Sequence, residues 1–230
     1  MAVSTLAHAR PPQPRSVPPA AAVVALTPAR PPSTHIRHPL QSKSKIVKKD
    51  GAAASELETR IAAELANLEA NNAALKEDLK SLYINAAREV ELDGARKAIL
   101  VFVPFPLLAD FRKIQKTLIE ELEKKLGGSH VLIIANRTMI SSEGWARNTK
   151  FSGVRPRSRT LKAVQDSLLD DIVFPTEIVG KRIRVRVDGS RMLKVHLSPK
   201  DANAVEGKTE TFKTVYNKLT HKAVEFVVGH

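Results

Sequence analysis

The residues of this chain best suited to chemistry are arginines. Arg155, Arg157 and Arg159 set three guanidiniums within five residues, directly ahead of a helical pattern. In Ile183-Arg184-Val185-Arg186-Val187 cationic and apolar residues alternate. A strand there carries Arg182, Arg184 and Arg186 on one face and Ile183, Val185 and Val187 on the other. Guanidiniums stay charged and offer only donors, so their chemistry is the neutralisation of anions, not proton transfer. Like charges gathered on one sheet face repel, by a few tenths to about 1 kcal/mol per facing pair. A polyanion is the partner that relieves that repulsion. The competing reading is a solvated polar face on a sheet edge.

The next residues shape this stretch into a hairpin. Asp188-Gly189-Ser190 is turn chemistry, and Leu193, Val195 and Leu197 then alternate with Met192, Lys194 and His196. A two-residue loop at Asp188-Gly189 pairs Arg184 with Leu193 and mixes the faces. A three-residue loop, Asp188 to Ser190, pairs Val185 with Leu193 and Ile183 with Val195. It sets Arg184 beside Lys194 and Arg182 beside His196. A slip of one residue exposes the whole apolar set, so the three-residue loop is predicted, with an apolar underside and a cationic top. Upstream, residues 136–159 form a basic loop with Arg137, Arg147, Lys150, Arg155, Arg157 and Arg159. Trp145 and Phe151 stand among these charges, a mixture suited to phosphate contact with base stacking.

Other chemistries find no residues to carry them. The chain has no cysteine, which removes thiol catalysis and thiolate zinc sites. The histidines are dispersed, and none has the spacing of a helical metal site. Asp170 and Asp171 are adjacent on a helix, where neighbours do not face each other, so they read as a solvated acidic helix end and not as catalytic carboxylates. Neither a phosphate-binding glycine loop nor a dinucleotide fingerprint follows the first buried strand, where Pro104-Phe105-Pro106 stands instead. No catalytic residue, metal ligand, cofactor or small-molecule substrate is therefore assigned.

The elements that must position the arginines can be read in order. Ser55 and Glu58 form a capping box ahead of Leu57, Ile61, Leu65 and Leu68, and Leu75, Leu79 and Leu82 mark a second helix. This acidic pair either docks on a partner or, the simpler view, closes over the domain's own sheet. Ile84, Ala86, Val90 and Leu92 alternate toward a turn at Asp93-Gly94, with Arg88 on the same face, which demands a twist or an edge there. Ala98 to Val103 and Val131 to Ala135 are continuous apolar runs, as in strands covered on both faces. Between them Leu107, Phe111, Ile114, Leu118, Leu122 and Leu126 form one helical stripe, completing a βαβ unit that serves as scaffold. Thr160 caps a helix with Leu161, Val164, Leu168 and Ile172 on its stripe. A short helix over Phe212 to Leu219 and a strand from Ala223 to Val228 end the chain. The fold class is α+β: a mixed sheet with a βαβ unit, flanking helices and a basic hairpin.

Several of these runs carry a resemblance. Arg155 to Leu161, Phe174 to Arg182, Asp188 to Arg191 and Lys194 to Leu197 resemble the eukaryotic small-subunit ribosomal protein seven family. Arg96 to Ile99, Glu120 to Lys125 and Ile46-Val47-Lys48 are similar too, so the likeness covers about Ser44 to Phe226. It implies a structural, rRNA-bound protein of the small ribosomal subunit in the cytoplasm, passing through the nucleolus during assembly. Its implied partners are small-subunit rRNA, neighbouring ribosomal proteins and assembly factors. The candidate RNA-binding residues are Arg147, Lys150, Arg155, Arg157, Arg159, Lys181, Arg182, Arg184, Arg186, Arg191 and Lys194. The loop before Arg155 is less rich in Lys and Arg than the family pattern.

Composition agrees with a nucleic-acid partner. The formal net charge is +13, and residues 147–198 hold twelve Lys/Arg against five acids, whereas residues 50–94 hold four against ten. No apolar run is long enough to span a bilayer, and no membrane partner is expected. Residues 1–43 are rich in Pro, Ala and Arg and read as a disordered basic tail, with a targeting segment or an upstream extension as alternatives; 44–230 reads as a single α+β domain. The alternative function is a free-standing RNA- or DNA-binding regulator.

Overall fold

The capping box opens the first helix. The Glu58 N–H donates to the Ser55 hydroxyl at 3.4 Å, and the Ser55 N–H donates to the Glu58 carboxylate at 2.8 Å. Helix α1 (Glu56–Asn71) follows, Asn72 interrupts in an extended conformation, and α2 (Ala73–Lys80) continues. The structure, a computed structural model, describes residues 45–48, 52–92, 96–148, 150–151, 153–201 and 205–228. The basic tail and the Asp93-Gly94 turn lie outside the described residues.

Glu58 does more than cap. Its second role is to accept from the Ala87 N–H at 3.3 Å and to pair with Lys48 at 2.6 Å. Lys48 belongs to a strap, residues 45–48, in which Ile46 bridges Ile84 and Lys45 pairs with Glu69 at 2.6 Å. Burial works to raise the Glu58 pKa, but Lys48 and the N–H groups of Ser55 and Ala87 outweigh it and hold the carboxyl below its usual value.

Strand β2 (Lys97–Pro104) lies between β1 (Ala86–Glu91), antiparallel to it, and β3 (His130–Asn136), parallel to it. Helix α3 (Leu108–Lys125) joins β2 to β3 and buries Phe111, Ile114, Leu118 and Leu122. The two faces of β2 and β3 enter two different cores. Ile99, Val101, Val103, Val131 and Ile133 pack with the stripes of α1, α2 and α3, so the acidic helical pair closes over the chain's own sheet. Ala98, Leu100, Leu132 and Ile134 pack with Leu169, Ile172, Val195, Leu197, Phe212 and Val224. Coverage on both sides is why these strands are apolar throughout. Arg88 falls on the edge strand β1, exposed, with its guanidinium 5.7 Å from the Phe102 ring centroid.

After β3 come α4 (Ser142–Arg147) and α5 (Leu161–Val173), the latter capped by Thr160. Then β4 (Ile178–Val185) pairs antiparallel with β5 (Arg191–Leu197), and β5 pairs parallel with β6 (Ala223–Val228) across helix α6 (Thr209–Thr220). The expected single mixed sheet is thus two three-stranded sheets, β1-β2-β3 and β4-β5-β6. Both have the same wiring: an antiparallel pair, a helix, and a parallel strand beside the second member. They share a core, not an edge. Leu132 and Ile134 of the first pack into the cluster that holds Val195, Leu197 and Val224 of the second.

One expectation about α5 fails. Asp171 is not a solvated helix end: its side chain is fully buried. Arg112 of α3 donates to its Oδ1 at 2.9 Å, Arg137 donates to both oxygens, and the Ala135 N–H of β3 donates to Oδ2 at 3.2 Å. Asp171 lies seven residues beyond Val164 and so shares its buried face. A charge there is tolerable only because every lone-pair direction is met. Its neighbour Asp170 does face outward, half-exposed, and pairs with Lys181 at 3.2 Å.

Two outcomes follow from these carboxylates. Asp171→Ala strands two guanidiniums against the core and is expected to cost about 3–5 kcal/mol, read as a lower urea midpoint, whereas Asp170→Ala stays within about 1 kcal/mol. Glu58, depressed from a usual 4.5, stabilises the fold above its unfolded-state pKa and stops doing so as pH falls through the lower folded value. Glu58→Gln is therefore less stable near neutrality, and its urea midpoint falls less than the wild type's as pH drops below about 4.5.

Candidate nucleic-acid interface

The hairpin of β4 and β5 carries the arginine array. Its register is Arg182 opposite Lys194, Ile183 opposite Leu193, Arg184 opposite Met192 and Val185 opposite Arg191. The loop has three residues, but they are Val187 to Gly189: the Arg186 N–H donates to the Ser190 carbonyl and the Gly189 N–H to the Arg186 carbonyl, both at 3.0 Å. The expected loop, Asp188 to Ser190, is corrected. Gly189 has φ +81°, the left-handed position that closes a three-residue hairpin through a glycine bulge. The expected loop would give that position to Ser190, whose Cβ disfavours it. The correction moves each partner by two residues, so parity is kept. Directly opposed residues share a face, and Arg182, Lys194 and Arg184 stand on one side while Ile183, Leu193 and Val195 stand on the other.

The apolar face is buried only at its base. Val195 and Leu197 are fully buried, but Ile183 is 69% exposed, Val185 62% and Val187, in the loop, completely. The expected buried underside is corrected: the hairpin projects past the core as an arm with both faces open over its outer half.

The candidate cations divide by what already holds them. Lys181, on the face of Val195, pairs with Asp170 and Asp166 of α5. Lys194 lies 3.9 Å from Glu225 of β6. Arg191 opposes Val185 and so belongs to the apolar face. Arg182, Arg184 and Arg186 are exposed, and among the described residues no carboxylate pairs with them. His196, opposite Gly180, shares their face.

The basic loop is ordered by its own contacts. Ser141 caps the short helix α4 by accepting from the Gly144 N–H at 3.0 Å, a signal legible in the sequence but not used there. Trp145 and Phe151 stack with centroids 4.4 Å apart and planes within 3°, and the Trp145 Nε1–H donates to the Gly153 carbonyl at 3.0 Å. Arg159 lies over Phe151 at 5.9 Å. Trp145 has therefore committed one face inside the loop, and Phe151 carries both a stacked ring and a guanidinium. Arg155 donates to the Ile140 carbonyl at 3.1 Å and Arg147 pairs with Glu143 at 3.1 Å. Lys150 and Arg157 are exposed, and their side chains have no partner among the described residues. Arg137 is not a loop cation at all, since Asp171 holds it.

Among the described residues, no group of three or more His, Asp or Glu side chains could hold a metal ion. A profile of the family described as ribosomal protein S7e matches residues 45–228, a span that contains the arm, the loop and all eleven candidate cations. The chain belongs to the ribosomal protein S7e family. It is similar to the small ribosomal subunit protein eS7 of Drosophila melanogaster, 47% identical over 183 residues that cover 80% of this chain and 93% of the relative. The eS7 protein of Avicennia marina is 48% identical over 79% of this chain and 94% of its own. That of Schizosaccharomyces pombe is 46% identical over 81% and 95%. The S7e match begins at the strap and ends at β6, so the family unit coincides with the described fold and excludes the basic tail.

The geometry separates stability from exposure within this S7e hairpin. Val195→Ala is expected to cost about 1–2.5 kcal/mol, while Val185→Ala and Ile183→Ala stay within about 0.5 kcal/mol. Replacing Arg182, Arg184 and Arg186 together by Gln relieves the Arg182–Lys194 repulsion and leaves the melting temperature unchanged or slightly raised. A triple Gln variant that melts early would show that the arginines hold the arm together.

Proposed function

We propose that this chain is a structural constituent of the small ribosomal subunit that binds its rRNA and supports subunit assembly and rRNA processing. The observation that carries the RNA-binding part is the array of Arg182, Arg184 and Arg186, exposed and unpaired on a projecting arm. Family membership and the eS7 relatives support the ribosomal setting. No bond is made or broken. The arm supplies guanidiniums to backbone phosphates, with Lys150 and Arg157 of the loop extending the same field, and such contacts fix register and orientation without reading bases. Neighbouring ribosomal proteins and assembly factors complete the setting, in the cytoplasm and, during assembly, the nucleolus.

The arm suits this task physically. A cation already paired within the fold must give up its partner before it can take a phosphate. Arg182, Arg184 and Arg186 give up nothing, and phosphates remove the repulsion between Arg182 and Lys194.

Two measurements test the proposal together. The tagged full chain is expected to sediment with small subunits in a sucrose gradient, and a position at the top of the gradient would favour a free-standing RNA- or DNA-binding regulator. With Lys150, Arg157, Arg182, Arg184 and Arg186 as contacts, log–log salt dependence of binding to isolated RNA should have a slope of about −3.5 to −4.5. Substituting Gln at the three hairpin arginines should bring it to about −1.4 to −1.8. A slope near zero in the wild type would reduce the positive charge to a solubilising surface.

A further inference from the structure

A second cationic feature stands away from the hairpin face, at the carboxyl ends of the two parallel strands of the first sheet. Phe105 follows Pro104, the last residue of β2, and Arg137 follows Asn136, the last residue of β3. With Arg112 of α3 and Ser167 and Asp170 of α5 they line a cleft of about 490 Å³. That volume lies within the range of small-ligand sites, roughly 300–1,000 Å³. The position is the one where open α/β sheets place ligands, outside the carboxyl ends of their strands.

The charges in the cleft are fixed and unbalanced. Arg112 and Arg137 share a single buried carboxylate, Asp171, so one positive charge is left over. Arg137 uses its two terminal nitrogens on Asp171 and Arg112 uses one, and the remaining N–H groups are unassigned among the described residues. Held from behind, both guanidiniums are set in place before any ligand arrives, which lowers the ordering cost of binding. Asp170 at the rim does not cancel the excess, because Lys181 holds it.

The cleft also has an aromatic plate. Phe105 is 59% exposed, and the Arg137 guanidinium sits 5.6 Å from its ring centroid. A guanidinium with free donors this close to an open ring matches a nucleotide, whose phosphate and base lie a similar distance apart. An acidic side chain would satisfy the charge and leave the ring uncovered. We infer that this cleft binds one nucleotide unit, phosphate on Arg112 and Arg137 and unstacked base on Phe105. Its source is either a single-stranded stretch of RNA or a free nucleotide. Where the source is RNA, the inference rests on the proposal that this chain binds RNA. Lys181 then links the two surfaces, since it pairs with Asp170 at the cleft rim and precedes Arg182 at the start of the hairpin array.

The test uses the full chain and three probes: a short single-stranded RNA, a duplex of the same sequence, and adenosine 5′-monophosphate. Phe105→Ala changes an exposed side chain, and Arg112→Gln keeps an N–H to donate to Asp171 while Arg137 remains in place. Phe105→Ala is expected to weaken single-stranded RNA about tenfold, the usual loss on removing a stacking ring, Arg112→Gln to weaken it through the lost phosphate contact, and both to leave duplex affinity unchanged. Phe105→Trp is expected to show quenching by single-stranded RNA beyond that of the wild type, whose only tryptophan is Trp145. Equal quenching by the monophosphate assigns the cleft to free nucleotides, and quenching by RNA alone assigns it to a strand. Unchanged RNA affinity in both the Ala and Gln variants, with no added quenching by either probe in the Trp variant, overturns the inference. The hairpin triple Gln variant serves as the reference: loss of RNA there, with none at Phe105 and no added quenching by either probe, defeats the cleft alone, and no loss there defeats the RNA-binding proposal for the arm.

Discussion

A single buried carboxylate holds the parts of this molecule in register. Asp171 projects from α5 into a site where it meets α3 through Arg112, the end of β3 through the Ala135 N–H, and the start of the basic loop through Arg137. Apolar packing is tolerant of small slips, because a leucine can find another methyl group nearby. A buried charge is not, since each lost donor leaves an oxygen desolvated and unmatched. Asp171 thereby fixes how the first sheet, its crossover helix and α5 meet. It also fixes where the chain leaves β3, and that exit decides which way the loop of residues 137–159 travels. The arginines it employs are lost to the surface field, but they become rigid cations at the mouth of a cleft.

The second constraint is the repeated wiring of the two sheets. Each places its second strand in the centre, with the antiparallel partner at one edge, β1 or β4, and the parallel partner at the other, β3 or β6. In the first sheet the edge strand is anchored by Glu58 through Ala87 and by the strap through Ile84. In the second, nothing among the described residues covers the outer half of β4, and the sequence there alternates cation with β-branched residue. Charged edge positions are a known protection against edge-to-edge pairing. The same arginines that discourage another strand are available to a phosphate backbone, so edge protection and the proposed RNA contact draw on one set of side chains.

Much of this was legible in the sequence where period and length agree. The apolar runs at 98–103 and 131–135, the Phe111, Ile114, Leu118 and Leu122 stripe of α3, the Ser55 and Thr160 caps and the family itself could all be read. The errors share a cause. Parity of the hairpin faces follows from alternation, a local property, but its register depends on which residue accepts positive φ, and Gly189 decided that. Asp171 reads as part of a solvated helix end because adjacent helical residues do not face each other, although the interval from Val164 places it on the buried stripe. The second sheet escaped notice because β5 and β6 pair across α6, and no local pattern marks which strand will lie beside which.

Net charge locates a nucleic-acid surface only after the internal pairs have been subtracted. A count of Lys and Arg gives the stretch 147–198 a formal excess of seven, yet Lys181, Lys194 and Arg147 face carboxylates, and Arg155 is bound to a backbone carbonyl. What remains is Arg182, Arg184 and Arg186 along one face of the hairpin, Arg191 on its other face, Lys150 and Arg157 on the loop, Arg159 over the Phe151 ring, and Lys162, exposed in the first turn of α5. Alternation in a strand spaces neighbouring side chains on one face by about 7 Å, close to the separation of successive phosphates in an extended nucleic-acid strand. A helix would carry the same three arginines round its circumference and present them to no common line. The strand geometry, more than the number of charges, is what turns a basic segment into a surface that a phosphate chain can follow.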